Sequence, residues 1–214
     1  MDIAPGVKNS RWKELNLDLP DSPDWDEAID IFKARIWARY IMPVDILIEK
    51  DKEVERGKRK FGFTILAIDS LLMETLQAFR QGICDTKSGS RELITNFLKK
   101  AHDFKWETKH AHFYYDDIRC GILHRAEIGG HSLVRSEDNH VFDKDGLIIN
   151  RTKLHNDIKQ YVEYYIGELK INKMSYNDRS IGSCKVNYEL RKNFRTKMDY
   201  ICRDNLLSEK YPIR

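Results

Sequence analysis

Arg119 and His124 are the two residues of this chain whose types and spacing best fit catalysis. They lie five positions apart in the string Arg-Cys-Gly-Ile-Leu-His, late in a segment whose apolar residues recur at helical spacing. Histidine moves protons near neutral pH, and arginine is a permanent cation that can hold phosphate oxygens. These are the two groups that cleavage of a phosphodiester without a metal ion requires.

The spacing of this pair is weak on its own, because a chain with many arginines and seven histidines produces such pairs by chance. Two other arginine-histidine pairs of similar spacing leave the helical segment for the region after residue 128. Only Arg119 and His124 share one predicted helix. The alternative is structural: Arg119 would hydrogen-bond helix carbonyls or a carboxylate, and His124 would fill a partly buried position at an interface.

Other catalytic and metal-binding patterns are missing from the sequence. It contains no Gly-rich phosphate loop and no His-Glu-x-x-His motif. His110 and His112 would point about 200° apart on a helix, so they cannot hold one metal ion together. The four cysteines are scattered without a Cys-x-x-Cys pair, which is typical of reduced thiols in a cytoplasmic protein. We therefore expect neither a metal nor a cofactor.

The elements that must position this pair are predicted to be helices. Apolar residues at helical spacing, with terminal signals such as Ser22-Pro23, Gly82 and Asn150, predict a mainly α fold. The predicted helices cover, in chain order, 23–43, a short helix through Ile48, 61–81, about 93–101, 108–127, a helix after Asn150, and about 186–204.

Two segments break the helical pattern. Residues 128–149 contain Gly129-Gly130 and short apolar runs, which predict a small β-hairpin or an irregular excursion. The charged stretch 49–60 is predicted to be a solvated turn or linker. We therefore expect residues 1–60 to be a helical extension with a linker and 61–214 to be the main helical domain, together forming one compact unit.

Targeting signals are also missing. The first residues lack a basic start and an apolar core, and no uncharged apolar run reaches the roughly 18 residues of a membrane span. We expect a cytoplasmic protein that does not enter a membrane.

The formal net charge of +3 is unevenly distributed. Residues 1–57 carry 9 Lys and Arg against 13 Asp and Glu, whereas 170–214 carry 11 against 5, a net charge of +6. This tail, with Arg191 and Arg195, is the best candidate for a surface that contacts RNA phosphates. The alternative is a solvated basic helix that binds no nucleic acid.

The string from Arg119 to His124, preceded by Tyr114-Tyr115 and by the helix Ser70-Leu-Leu-Met-Glu74-Thr-Leu-Gln-Ala-Phe79, resembles the HEPN superfamily over roughly 61–169. The resemblance implies a helical bundle that cuts RNA without a metal through an Arg-x4-6-His motif, usually as a dimer and often in toxin or antiviral systems. The chain departs from that pattern at Cys120, where the family commonly has Asn, Asp or His.

In the expected reaction His124 takes the proton of a ribose 2′-OH or protonates the 5′-oxygen, while Arg119 holds the non-bridging oxygens. Residues five apart on one helix point about 140° apart, so two antiparallel copies would complete one cleft. Asp117 is expected to orient His124. Glu74 is a further supporting residue, whose alternative role is a surface ion pair.

The leading hypothesis is a homodimeric endoribonuclease, either an RNase toxin or an antiviral effector. One alternative is a catalytically silent HEPN-like module that binds RNA or a nucleotide. The other is a helical partner that docks on another protein of its operon.

Overall fold

The computed structural model describes residues 2–55, 58–86, 89–101, 104–129, 133–135, 141, 148–171 and 181–203. These residues are mostly helical, which confirms the mainly α class. The α-helices are α1 Asn9–Glu14, α2 Asp24–Ile36, α3 Met42–Lys52, α4 Gly62–Gln81, α5 Ser90–Lys100, α6 Thr108–Phe113, α7 Cys120–Arg125, α8 Arg151–Lys170 and α9 Ile181–Cys202. Two π-helical turns cover Trp37–Ile41 and Tyr114–Arg119, and the short strands are β1 Asp2–Ala4, β2 Val7–Lys8, β3 Leu133–Arg135 and β4 Ile148–Asn150.

Local signals account for three of the predicted helix ends. Acidic residues occupy the first turn of α2, where their negative charges interact favourably with the positive end of the helix dipole. Gly82 has a φ of +68°, a left-handed conformation that ends α4 at low steric cost. The Asn150 side-chain oxygen accepts the Lys153 N–H at 3.1 Å and caps α8. The predicted ends at these three positions are confirmed.

Among the described helices, α4 is the one long and apolar enough to cross a membrane by length and composition. Core helices meet the same criterion, and 61% of its apolar window is buried within the protein. This observation is therefore weak support for a membrane span.

The chain divides into two compact units. The first contains Met1–Ile36, Ala78–Asp85 and Ile166–Arg214. Its aromatic core centres on Phe194, whose ring centroid lies 5.4 Å from that of Phe32 and 6.0 Å from that of Trp12. Edge-to-face pairs of this kind are the favoured packing of aromatic rings.

The second unit contains Trp37–Gln77 and Thr86–Tyr165, and it includes Arg119 and His124. Phe97 of α5 packs edge-to-face on Phe104 at 5.0 Å and on Tyr161 at 4.7 Å between ring centroids. Tyr114, at the start of the second π-helical turn, is fully buried against Trp106. Apolar packing thus holds the segment that carries the candidate residues.

The predicted helix 108–127 is a continuous helical run over 108–125 that contains a π-helical turn. We call this run, composed of α6, the turn Tyr114–Arg119 and α7, the 108–125 helix. It ends at Ala126, which adopts the left-handed conformation with a φ of +54°. A π-helical turn is wider than an α-helical one, so it shifts the angular positions of the residues before it relative to those after it.

For residues 128–149, where a β-hairpin or an irregular excursion was predicted, the structure rules out the hairpin. β3 and β4 pair in parallel, with Leu133 opposite Ile148, so the expected hairpin is wrong because a hairpin is antiparallel. Most of the connection, residues 136–140 and 142–147, lies outside the described residues. Near the N-terminus β1 and β2 form an antiparallel pair around Gly6, which the Pro5-Gly6 turn signal could have predicted.

The charged stretch 49–60 is only partly a solvated linker. α3 continues to Lys52, and Asp51 is buried in an ion pair with Arg151. The Asp51 carboxylate also accepts the N–H groups of Lys60 and Phe61 at 3.1 and 3.3 Å. Although burial opposes ionisation, these hydrogen bonds and Arg151 hold the pKa of Asp51 below its ordinary value. A buried carboxylate therefore anchors the end of this stretch.

Candidate active site

Arg119 lies at the end of the π-helical turn and points toward α4 and α5. Its Nη2 donates to the Ser90 hydroxyl at 3.0 Å and lies 3.7 Å from a carboxylate oxygen of Glu74. The Ser90 hydroxyl in turn donates to Glu74 at 2.5 Å. These contacts with Ser90 and Glu74 orient the guanidinium, and the Arg119 side chain is only 15% exposed.

Two neighbours along the chain complete the surroundings of Arg119. Its guanidinium carbon lies over the Tyr115 ring, 5.3 Å from the centroid, within the range of a cation–π contact. Its Nη1 lies 3.8 Å from the Cys120 sulfur, a weak acceptor. The structure thus brings Glu74 and Cys120, two of the predicted supporting residues, to Arg119.

His124 occupies α7 and is exposed, and it has no hydrogen bond or ion pair with another described residue. Arg119 is instead largely covered. Within the described residues, no hydrogen bond joins the Arg119 and His124 side chains of one chain.

Gly121, inside the motif string, is needed for the turn that follows α7. The chain reverses at Ala126, and the Glu127 N–H donates back to the Gly121 carbonyl at 3.3 Å. A β-carbon on Gly121 would overlap the carbonyl oxygen of Glu127. Close backbone approach, rather than chemistry, accounts for glycine at this position.

Asp117 does not orient His124 in this structure. Its carbonyl accepts the Gly129 N–H at 3.0 Å, and a carboxylate oxygen lies 2.3 Å from where a β-carbon on Gly129 would be. The described residues include no hydrogen bond between Asp117 and His124. The seven-residue spacing places two residues on one face only in a regular α-helix, and the π-helical turn interrupts that regularity.

The two arginines predicted to bind RNA are both engaged within the first unit. Arg191 is buried, donates to the carbonyls of Leu169 and Pro20 at 2.8 and 2.5 Å, and lies over the Trp25 ring. Burial lowers the pKa of Arg191. These contacts hold the Arg191 guanidinium inside the unit.

Arg195 is more accessible and forms a 2.7 Å ion pair with Asp18. It also lines a cavity of about 260 Å³ together with Trp12 and Asp199. Exposed pairs of this kind are weak, so Arg195 can exchange its carboxylate for another anion.

Sequence reasoning missed a buried polar cluster in the second unit. Asp69 and His155 are fully buried, and His155 Nδ1 lies 2.8 Å from the Asp69 carboxylate. The sequence signal was Asp69 itself, a charged residue inside the apolar helix 61–81. Burial raises the pKa of the Asp69 carboxyl, although His155 opposes that shift. Nearby, Tyr114 and Ser70 share a hydrogen bond of 2.9 Å, and burial raises the pKa of the Tyr114 hydroxyl.

Within the described residues, no three His, Cys, Asp or Glu side chains are grouped so that they could hold a metal ion. Comparisons with known proteins yielded no match, whether to protein-family models, to curated proteins or to solved structures.

Proposed function

We propose that this protein is a metal-independent endoribonuclease of the HEPN type that acts as a homodimer. The observation that carries the proposal is the contrast between an oriented Arg119 and an exposed His124 on one helix. Glu74 and Ser90 hold the guanidinium, which is how an enzyme positions a cation for a phosphate in advance. The exposed imidazole is accessible to a strand of RNA.

The proposed reaction is an internal transesterification. His124 of one copy takes the proton of the ribose 2′-OH, and the 2′-oxygen attacks phosphorus. The bond from phosphorus to the 5′-oxygen breaks, and protonated His124 of the second copy donates a proton to that oxygen. Arg119 stabilises the charge on the non-bridging oxygens. The products are a 2′,3′-cyclic phosphate and a free 5′-OH.

A second copy is needed because Arg119 and His124 of one chain face different directions. In an antiparallel pair of 108–125 helices, Arg119 of each copy approaches His124 of the other. Leu123 supports this arrangement, since it is 41% exposed beside His124 and leaves apolar surface that a second copy could cover.

The low exposure of the Arg119 side chain favours a second candidate function. A guanidinium that is 15% exposed and lies beside Glu74 also suits a structural arginine. The chain would then be a catalytically silent module that binds RNA or a nucleotide.

RNA digestion in EDTA tests the proposal. Wild-type protein should produce 2′,3′-cyclic phosphate and 5′-OH ends, and His124→Ala should cut more slowly by a factor on the order of 10² to 10⁴. His112→Ala is the matched control, because His112 is an exposed histidine on the same 108–125 helix and should leave the rate unchanged. RNA binding without cleavage by the wild type would select the silent module instead.

A further inference from the structure

Arg91 and Tyr115 lie beside Arg119 and were not singled out by the sequence motif. The Arg91 guanidinium carbon lies 5.8 Å from the centroid of the Tyr115 ring, and that of Arg119 lies 5.3 Å from the same centroid. Two permanent cations therefore lie within cation–π range of one aromatic ring. We call these three residues the Arg–Tyr–Arg array.

The array arises because two helices meet in the second unit. Arg91 is in the first turn of α5, whereas Tyr115 and Arg119 are four residues apart in the π-helical turn. Tyr114 and Ile118, one position earlier in each case, are fully buried in the core. Burial of those two side chains leaves Tyr115 and Arg119 together on the neighbouring face, next to α5.

We propose that the Arg–Tyr–Arg array binds single-stranded RNA, with a base stacked on Tyr115 and a backbone phosphate held by Arg91. Aromatic rings and guanidinium groups are the side chains on which proteins stack unpaired bases, and cations beside them contact the backbone. This inference rests on the proposed function, since the array would guide the RNA strand to Arg119.

Asp116 regulates access to the array. Its carboxylate pairs with Arg91 at 2.7 Å, and the two side chains are 45% and 54% exposed respectively. An exposed pair of this kind contributes little to stability, so a phosphate can replace the carboxylate. Asp116 therefore competes with RNA for Arg91, and its removal should strengthen binding.

Fluorescence anisotropy with a labelled single-stranded RNA oligonucleotide tests the array, in a His124→Ala background so that the RNA stays intact. Arg91→Gln should weaken binding and reduce the slope of log K against log salt by about 0.7, the value for one lost phosphate contact on a single strand. Asp116→Asn should tighten binding. Tyr115→Leu should weaken it on the order of tenfold without changing the slope.

Opposite effects of Arg91→Gln and Asp116→Asn on RNA binding separate an RNA contact from a structural ion pair. If the pair were only structural, either substitution would break it equally and the two variants would change binding in the same direction. If both variants bind RNA as their parent does, the array is rejected. If Arg91→Gln unfolds, tighter binding by Asp116→Asn still decides the point. Unchanged binding by Tyr115→Leu rejects the base-stacking platform and leaves a general anion site.

The binding experiment does not depend on cleavage. If wild-type protein fails to cut RNA but the three variants change binding as expected, the array stands and the enzymatic proposal fails. If wild-type protein cuts RNA but the variants bind normally, the enzymatic proposal stands and the array fails.

Discussion

Nδ1 of His155 lies 2.8 Å from a carboxylate oxygen of Asp69, and both side chains are completely buried. The other ring nitrogen, Nε2, lies 3.3 Å from a carboxylate oxygen of Asp45. Burial raises the pKa of the Asp69 carboxyl and so favours its neutral form, although His155 opposes that shift.

Asp69→Asn should therefore be tolerated better than Asp69→Ala. The asparagine amide is neutral like the protonated carboxyl and can still hydrogen-bond to His155 Nδ1. Alanine leaves that nitrogen buried without a partner, which should cost about 1–3 kcal/mol more. Urea denaturation of the two variants measures the difference. Equal stability of the two variants would show that the buried hydrogen bond contributes nothing.

The Asp51–Arg151 ion pair predicts how stability depends on pH. Because the pKa of Asp51 is lower in the folded than in the unfolded chain, its contribution is present above the unfolded pKa of about 3.9. The contribution is lost as the pH falls through the folded pKa. Asp51→Asn leaves the Arg151 charge buried without its partner and should cost about 3–5 kcal/mol at neutral pH.

The difference between wild type and Asp51→Asn should shrink when urea denaturation is repeated at about pH 3. Glu49→Gln is the matched control, because Glu49 lies on the same helix in an exposed pair with Lys52. It should change stability by no more than about 1 kcal/mol at any pH. A difference that stays constant with pH would contradict a lowered pKa for Asp51.

Gly121→Ala should destabilise the protein by about 1–3 kcal/mol, because the new β-carbon would overlap the Glu127 carbonyl. Gly167→Ala provides the opposite control. Gly167 lies within α8 with no atom within 4 Å of its would-be β-carbon. Alanine there should stabilise the helix by up to about 1 kcal/mol. Thermal melts of the two variants should shift in opposite directions.

Arg119→Ala and His124→Ala should each slow RNA cleavage on the order of 10²-fold to 10⁴-fold. Because both residues act on one transition state, the double variant should lose much less than the product of the two factors. Single-turnover rates measure this, and matching melting curves must accompany them. If both single variants are folded and cut RNA at the wild-type rate, the Arg-to-His spacing is a chance match and the two residues are not catalytic.

Light scattering should detect a dimer at micromolar concentration, and Leu123→Glu should convert it to a monomer that cannot cut RNA. Ile46→Glu is the control, since Ile46 is an exposed apolar residue on α3 of the same unit and is 55% exposed against 41% for Leu123. It should remain a dimer. A wild-type monomer that cleaves RNA would rule out the composite site.

Local information in the sequence was sufficient to predict most of the helices. Apolar spacing located α4, α5 and the 108–125 helix, and Gly82 and Asn150 marked where helices end and begin. These features depend on residues within one or two turns of each other, so they can be predicted without knowledge of the fold. The Arg-to-His pair was visible for the same reason.

Only the tertiary structure decided what those residues contact. Ser90 and Glu74 reach Arg119 from α5 and α4, and the Asp69–His155 contact joins residues 86 positions apart. Such contacts depend on how helices pack, which spacing along one helix does not reveal. The buried state of Asp51 and the parallel pairing of β3 and β4 likewise required long-range contacts. The sequence by itself thus determined which helices form and which residue types they carry, whereas packing decided which charges are buried, paired or left exposed.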